Sequence, residues 1–315
     1  MTDFAAIPSP RLSDTMTRHD LPPQVQLVWH GLNDELNVQR FLASDITWGE
    51  CDIHWDPHRD QLVLHHDAIT GTETDALLTL DSLLARMREQ GKAAKLDLKG
   101  GDELIERTLA LVAHYGFGDD QLWFNAYLHR LSASGFRRLA EAHPGAILQA
   151  PVDFLGALAF NLPDHLKAIL DTLRSWGMNR FSVNFLSEYR PAFYDLLQGW
   201  GFEVNLYGVI DLETFLQAVL LLPRSVTADF NFPQWGYYGR GSGEGGRYYT
   251  YDAQGDNAAP CLTGALRRSS TFALGCQLPQ SAAFFRPRCD DPHLSCNQFV
   301  TKIKLSNLSK RLQGF

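Results

Sequence analysis

The sequence predicts a single (β/α)₈ barrel, and three observations predict it. From Gln24 to Phe230 short apolar runs alternate with longer segments of helical period. The short runs number about eight, the count a closed parallel barrel needs. Several of them end in histidine or carboxylate, as the strands of a barrel do at its open face.

The strand candidates, in order, are Val25 to His30, Gly49 to Trp55 with a paired run at Leu62 to His66, Ala93 to Leu98, Leu122 to Ala126, Ala146 to Ala150, Phe181 to Phe185, Glu203 to Tyr207 and Val226 to Phe230. Helical spacing fills the intervals: Leu36 to Leu42, Leu80 to Glu89, Leu104 to His114, Phe136 to Ala142, Leu166 to Trp176, Phe193 to Trp200 and Leu212 to Leu221. Thr79, Asp102, Ser132 and Asp211 stand where N-caps belong. Gly91, Gly116, Gly177 and Gly201 stand where helices stop and hand over to strands. The barrel is expected over residues 24–235. Residues 1–23 form a Pro-rich lead-in, and 236–315 form a Gly- and Tyr-rich linker or lid followed by an extension of unassigned fold.

Composition narrows the function classes. Of 315 residues, 45% are hydrophobic and 20% charged, as in ordinary globular proteins. A formal net charge of −8 argues against holding nucleic acid through a broad basic face, so phosphate chemistry would be local. No apolar run is long enough to span a bilayer, and Asp3, Pro8 and Pro10 interrupt the start, so a cytoplasmic location is expected. The five cysteines show no CxxC spacing and are expected to be free thiols.

The chemistry sits on alternating strand positions. In a strand, residues two apart share a face, so Glu50 and Asp52 point together, opposite to Cys51 and Ile53. Two carboxylates aimed together repel each other unless a cation intervenes, which suits Mg²⁺ or Ca²⁺. The competing reading is a polar strand end paired with Lys or Arg. Lys95, Asp97 and Lys99 repeat the pattern on the next parallel strand, as a third ligand beside phosphate-binding cations or as an internal Asp–Lys ion pair. His30 closes the first strand, and His65 and His66 close the run after the second. Histidine gives and takes protons near neutral pH. Because His65 and His66 face opposite sides, one of them faces the site, and His66, followed by Asp67, is preferred. His54 joins the carboxylate face if the strand stays regular. Trp29, Trp48, Trp123 and Trp235 lie near strand ends and either line a pocket or pack.

The order His30, Glu50-x-Asp52, His66-Asp67 and a strand ending in Asp97-x-Lys99 resembles the glycerophosphodiester phosphodiesterase group of the phospholipase-C-like barrel superfamily. "VNLYGVIDLETF" and "SVTADFNFP" are similar to its seventh strand with following helix and to its last strand, which typically ends in an Asp and a Pro. The likeness spans roughly residues 25–235. One departure stands out, since those enzymes carry Arg after the first His and this chain has Gly31. The strings "HGLND", "KLDLK" and "LWFNA" look closer to the menorin-like branch. The resemblance implies His30 and His66 as the catalytic pair, Glu50, Asp52 and Asp97 as ligands of Mg²⁺ or Ca²⁺, and Lys99 as a phosphate contact. Lys95, Asn33 and Asn125 are candidate substrate contacts, and His65 and His54 are alternatives or supports. The implied activity is hydrolysis of a small or lipid-derived phosphodiester; the alternative is a binding or scaffold barrel that keeps the site without chemistry.

Overall fold

A computed structural model of the chain describes residues 20–69, 77–210 and 212–231, together with 236–237 and 249–250. Trp235, Asp211, the four cysteines beyond residue 260 and most of the lead-in and Gly-rich segments lie outside the described residues.

Nine strands and eight helices carry the fold in the alternating order that the periodicity predicts. They are β1 (Gln26–Trp29), α1 (Glu35–Ala43), β2 (Trp48–Asp56), β3 (Gln61–Leu64), α2 (Leu80–Glu89), β4 (Ala93–Leu98), α3 (Glu103–His114), β5 (Leu122–Ala126), α4 (Ala133–Ala142), β6 (Ile147–Pro151), α5 (Leu158–Asn161), α6 (Pro163–Ser175), β7 (Arg180–Asn184), α7 (Arg190–Gly199), β8 (Glu203–Val209), α8 (Leu212–Leu220) and β9 (Ser225–Ala228). Neighbouring strands follow β1-β9-β8-β7-β6-β5-β4-β2, all parallel, and β1 pairs with β2 to close the ring. This is the expected (β/α)₈ barrel. The strand outside the ring, β3, is an antiparallel flap hydrogen-bonded to β2. Short pairings also join Phe230–Asn231, Gly236–Tyr237 and Tyr249–Thr250.

Each strand sorts its residues by parity. Outward positions such as Ile53, Leu96, Phe124 and Val183 are buried beneath the helices in one large apolar core, each worth about 1.5–3 kcal/mol of transfer free energy. Inward positions are mostly polar above a separate apolar floor of Val28, Trp48, Ala93 and Trp123. Trp48 and Trp123 meet edge to face at 5.7 Å, so these tryptophans pack inside the barrel; Trp29 packs outside it on Phe41. Arg180, on the inward face of β7, lies with its guanidinium carbon 4.6 Å from the Trp123 ring and pairs with Glu203.

Of the three described N-cap candidates, two cap their helices and one does not. Thr79 and Ser132 accept from the N–H groups of Ser82 and Gly135, as N-caps do. Asp102 does not cap α3; its carboxylate instead accepts from the N–H and hydroxyl of Ser132, tying the start of α3 to the start of α4. Among the described residues no helix is long and apolar enough to cross a membrane. Cys51, on the outward face of β2, is a free buried thiol.

Candidate active site

The register that closes the barrel also assembles the site. β2 and β4 pair with Glu50 beside Lys95 and Asp52 beside Asp97, and β4 and β5 pair with Asp97 beside Asn125. Paired residues of neighbouring strands share a face, so all of these point into the barrel. His30 follows β1, Lys99 follows β4 and Asp229 follows β9, at the C-terminal ends where barrel enzymes keep their catalytic groups.

Asp52 and Asp97 are bridged by one ammonium. Lys99 Nζ lies 2.8 Å from Asp52 Oδ1 and 2.6 Å from Asp97 Oδ2. Asn33 takes the other Asp52 oxygen at 2.5 Å while its own Oδ1 accepts the Asp52 backbone N–H at 2.9 Å, which fixes the amide's orientation. Asn125 donates to the other Asp97 oxygen at 2.7 Å and accepts from Gln149 at 2.8 Å. Burial would raise the Asp52 pKa, but the charge and hydrogen bond of Lys99, together with the charge of His30, outweigh it and hold the carboxyl below its usual range. Burial acts on Lys99 in the opposite sense to its two carboxylates, which prevail and push it above the ordinary ammonium range.

Glu50 pairs with the second lysine. Lys95 Nζ lies 3.2 Å from Glu50 Oε1, donates to Thr227 Oγ1 at 2.9 Å and sits 4.7 Å from the centre of the Trp123 ring. Glu50 Oε2 is buried without a hydrogen bond, 3.8 Å from His30 Nε2. The other ring nitrogen of His30, Nδ1, lies 2.6 Å from Asp229 Oδ1. Burial pulls the His30 pKa down; Asp229 and Glu50 more than reverse this and raise it to about 9.

The flap sets the adjacent histidines on different faces. Ile53 pairs with Leu64 across the β2–β3 hairpin, and the His65 N–H donates to the Asp52 carbonyl, which continues that register by one step. Opposed residues share a face, so His65, 7% exposed, lies on the Asp52 side, whereas the preferred His66 has the opposite parity and its Nδ1 lies 2.8 Å from Asp67 Oδ1. His54 does share the carboxylate face, because β2 runs regularly to Asp56, and burial lowers its pKa.

The donor chemistry of Glu50, Asp52 and Asp97 suits a hard cation; their arrangement does not. All four oxygens of Asp52 and Asp97 accept from N–H donors, and Glu50 Oε1 faces Lys95. Mg²⁺ and Ca²⁺ gather six or more oxygens, waters included, around one point; among the described residues no three His, Cys, Asp or Glu side chains converge as metal ligands do. In the described residues these carboxylates are paired with internal lysines, the arrangement of the competing reading.

No family model matches the chain, and no curated protein matches it. Among solved structures it is similar to a protein assigned as a glycerophosphodiester phosphodiesterase from Galdieria sulphuraria, at 14% identity over 65% of this chain and 93% of that one, with a TM-score of 0.50. A phosphodiesterase from Oleispira antarctica, solved with the product sn-glycerol-3-phosphate, gives 16% identity over 66% and 93% of the two chains and a TM-score of 0.48. The chain shares the barrel fold of the Galdieria protein.

Gly31, the departure from the resembling enzymes, has a structural reason. Its φ is +79°, a left-handed conformation that an arginine adopts only at a cost. Sequence reasoning assigned no role to Asp229, Gln149 or Thr227. The acid ending the last strand was the available signal for Asp229; nothing local marked the other two. A second polar group lies on the β6–β8 arc, where Tyr207 donates to Asp153 at 2.7 Å and the Asn184 N–H donates to the same carboxylate.

Proposed function

We propose that this barrel hydrolyses phosphodiesters, in the manner of the glycerophosphodiester phosphodiesterases its motif order resembles, on a small or lipid-derived substrate. The observation that carries the reading is His30, held at the barrel mouth between Asp229 and Glu50. A histidine whose protonated form is favoured there can donate to the departing alkoxide oxygen. Lys99 spends two of its three N–H donors on Asp52 and Asp97, leaving one for a non-bridging phosphate oxygen as charge develops. Asp229 keeps the imidazole in one orientation, a role a neutral amide would fill poorly. The proton acceptor for the attacking oxygen is His65 or His66, each at the end of the flap.

Water as nucleophile yields a monoester and an alcohol. A neighbouring substrate hydroxyl as nucleophile yields a cyclic phosphate first. The test is hydrolysis of bis-p-nitrophenyl phosphate and a panel of glycerophosphodiesters by wild type, His30→Ala and Lys99→Ala. Equal rates for all three proteins would defeat the hydrolase reading. In its place would stand the second reading, a binding or scaffold barrel, which the saturated carboxylate network favours.

A further inference from the structure

We propose that the Lys99 ammonium is this site's permanent cation, held where the resemblance implies a divalent metal, and that the site takes up neither Mg²⁺ nor Ca²⁺. The position is the point between Asp52 and Asp97, the acids opposed on β2 and β4, and Lys99 lies within 2.8 Å of both. A metal bound there must evict the ammonium from both carboxylates, while the backbone keeps the base of the lysine beside them. The Lys99 N–H donates to the Ile53 carbonyl at 3.0 Å, and Arg130 donates to the Lys99 carbonyl, so both peptide groups of this residue are tied to the barrel rim.

The remaining oxygens are committed as firmly. Asn33 cannot turn its oxygen toward Asp52 without surrendering the Asp52 backbone N–H it accepts, and Asn125 is locked from behind by Gln149. Lys95 faces Glu50 from a position 2% exposed, with Thr227 and the Trp123 ring around it. Of the six carboxylate oxygens of these three acids only Glu50 Oε2 has no hydrogen bond, so a hard ion would find one uncommitted carboxylate oxygen and would have to displace an N–H donor for each further one. Removing Lys99 would change this at one stroke. It would release Asp52 Oδ1 and Asp97 Oδ2 to join Glu50 Oε2, three carboxylate oxygens with no internal cation between the two aspartates.

Titration calorimetry and thermal melting of the full chain with Mg²⁺ and Ca²⁺ test the inference without relying on activity. Wild type is expected to show no saturable uptake up to about 1 mM, the weak end of protein Ca²⁺ sites. Lys99→Ala, and Lys99→Met as a bulkier control for folding, are expected to melt lower in chelator and to recover on adding Ca²⁺. Stoichiometric uptake by wild type that Glu50→Gln abolishes, or lysine variants that bind no better than wild type, would overturn it. A parallel assay in EDTA separates this inference from the hydrolase reading on which it rests. Activity retained within about twofold supports the lysine as cation. Activity lost in EDTA and restored by metal overturns the inference and leaves the hydrolase standing; no hydrolysis under any condition removes the hydrolase and leaves the metal titration as the judge.

Discussion

His30 Nδ1 and Asp229 Oδ1 lie 2.6 Å apart although they stand 199 positions apart in the sequence. They meet because the barrel closes, with β1 hydrogen-bonded to β9 from Gln26 and Ser225 to Trp29 and Ala228. The contact sets the charge of the histidine. Its pKa of about 9 lies above the ordinary 6.5, so the protonated ring stabilises the fold in full below pH 6.5, and that contribution fades as pH rises through 9. Asp229→Asn is expected to bring the His30 transition in an NMR titration back toward 6.5, to cost on the order of 3 kcal/mol of stability at neutral pH and to shift the alkaline limb of any rate profile downward. An unchanged His30 transition would show that another group holds the proton.

Gly31→Arg restores the residue that the resembling enzymes carry, and it is expected to harm this one. The backbone at φ +79° would be strained by about 1–2 kcal/mol with any side chain, and the Gly31 carbonyl is already engaged by Asn37 Nδ2 at 3.1 Å. The urea midpoint should fall with an unchanged slope, and the rate toward a phosphodiester should not rise. An increase in rate would mean that the loop can re-form around an arginine.

How much of this was legible depended on the distance over which each feature is decided. The strands and helices are local periodicities, and Ala93 to Leu98 emerges with the same bounds in sequence and structure. The alternation of Lys95, Asp97 and Lys99 is equally local, so their shared face could be anticipated. Whether a metal or a lysine neutralises the acids is a matter of ångströms between β2 and β4, and no spacing rule reaches it. Which of His65 and His66 shares the Asp52 face depends on hairpin register, which a four-residue loop from Pro57 to Asp60, with Asp60 at φ +54°, sets. A slip of one residue there would exchange the two histidines. Asp229 was hidden by the separation that makes it informative.

Lys95 and Glu50 form a buried pair, 2% and 6% exposed at their side chains, and its energetics are open to a mutant cycle. Lys95→Met leaves a carboxylate in the barrel interior without its cation, at an expected cost of about 3–5 kcal/mol. Glu50→Gln strands the ammonium less severely, because Thr227 and Trp123 still surround it. The double variant should be more stable than the sum of the two losses predicts, by more than about 1 kcal/mol in chemical denaturation. Strict additivity would mean that the pair does not interact.

Asn33 touches Asp52 twice, accepting its backbone N–H and donating to its carboxylate, and both partners are buried. Asn33→Ala leaves an N–H and a carboxylate oxygen without partners, each costing about 1–3 kcal/mol. Asn33→Asp keeps the shape but sets one carboxylate against another, so at neutral pH it should be the worse of the two. Lowering the pH reverses that order. Once the introduced carboxyl is protonated it can again donate to Asp52, so Asn33→Asp should regain stability relative to Asn33→Ala between about pH 7 and pH 5, as expected for a carboxyl whose pKa a like charge has raised. Urea titrations of both variants at the two pH values measure the crossing. If Asn33→Asp stays the weaker protein at both, the amide's contribution lies in its size and not in the proton it donates.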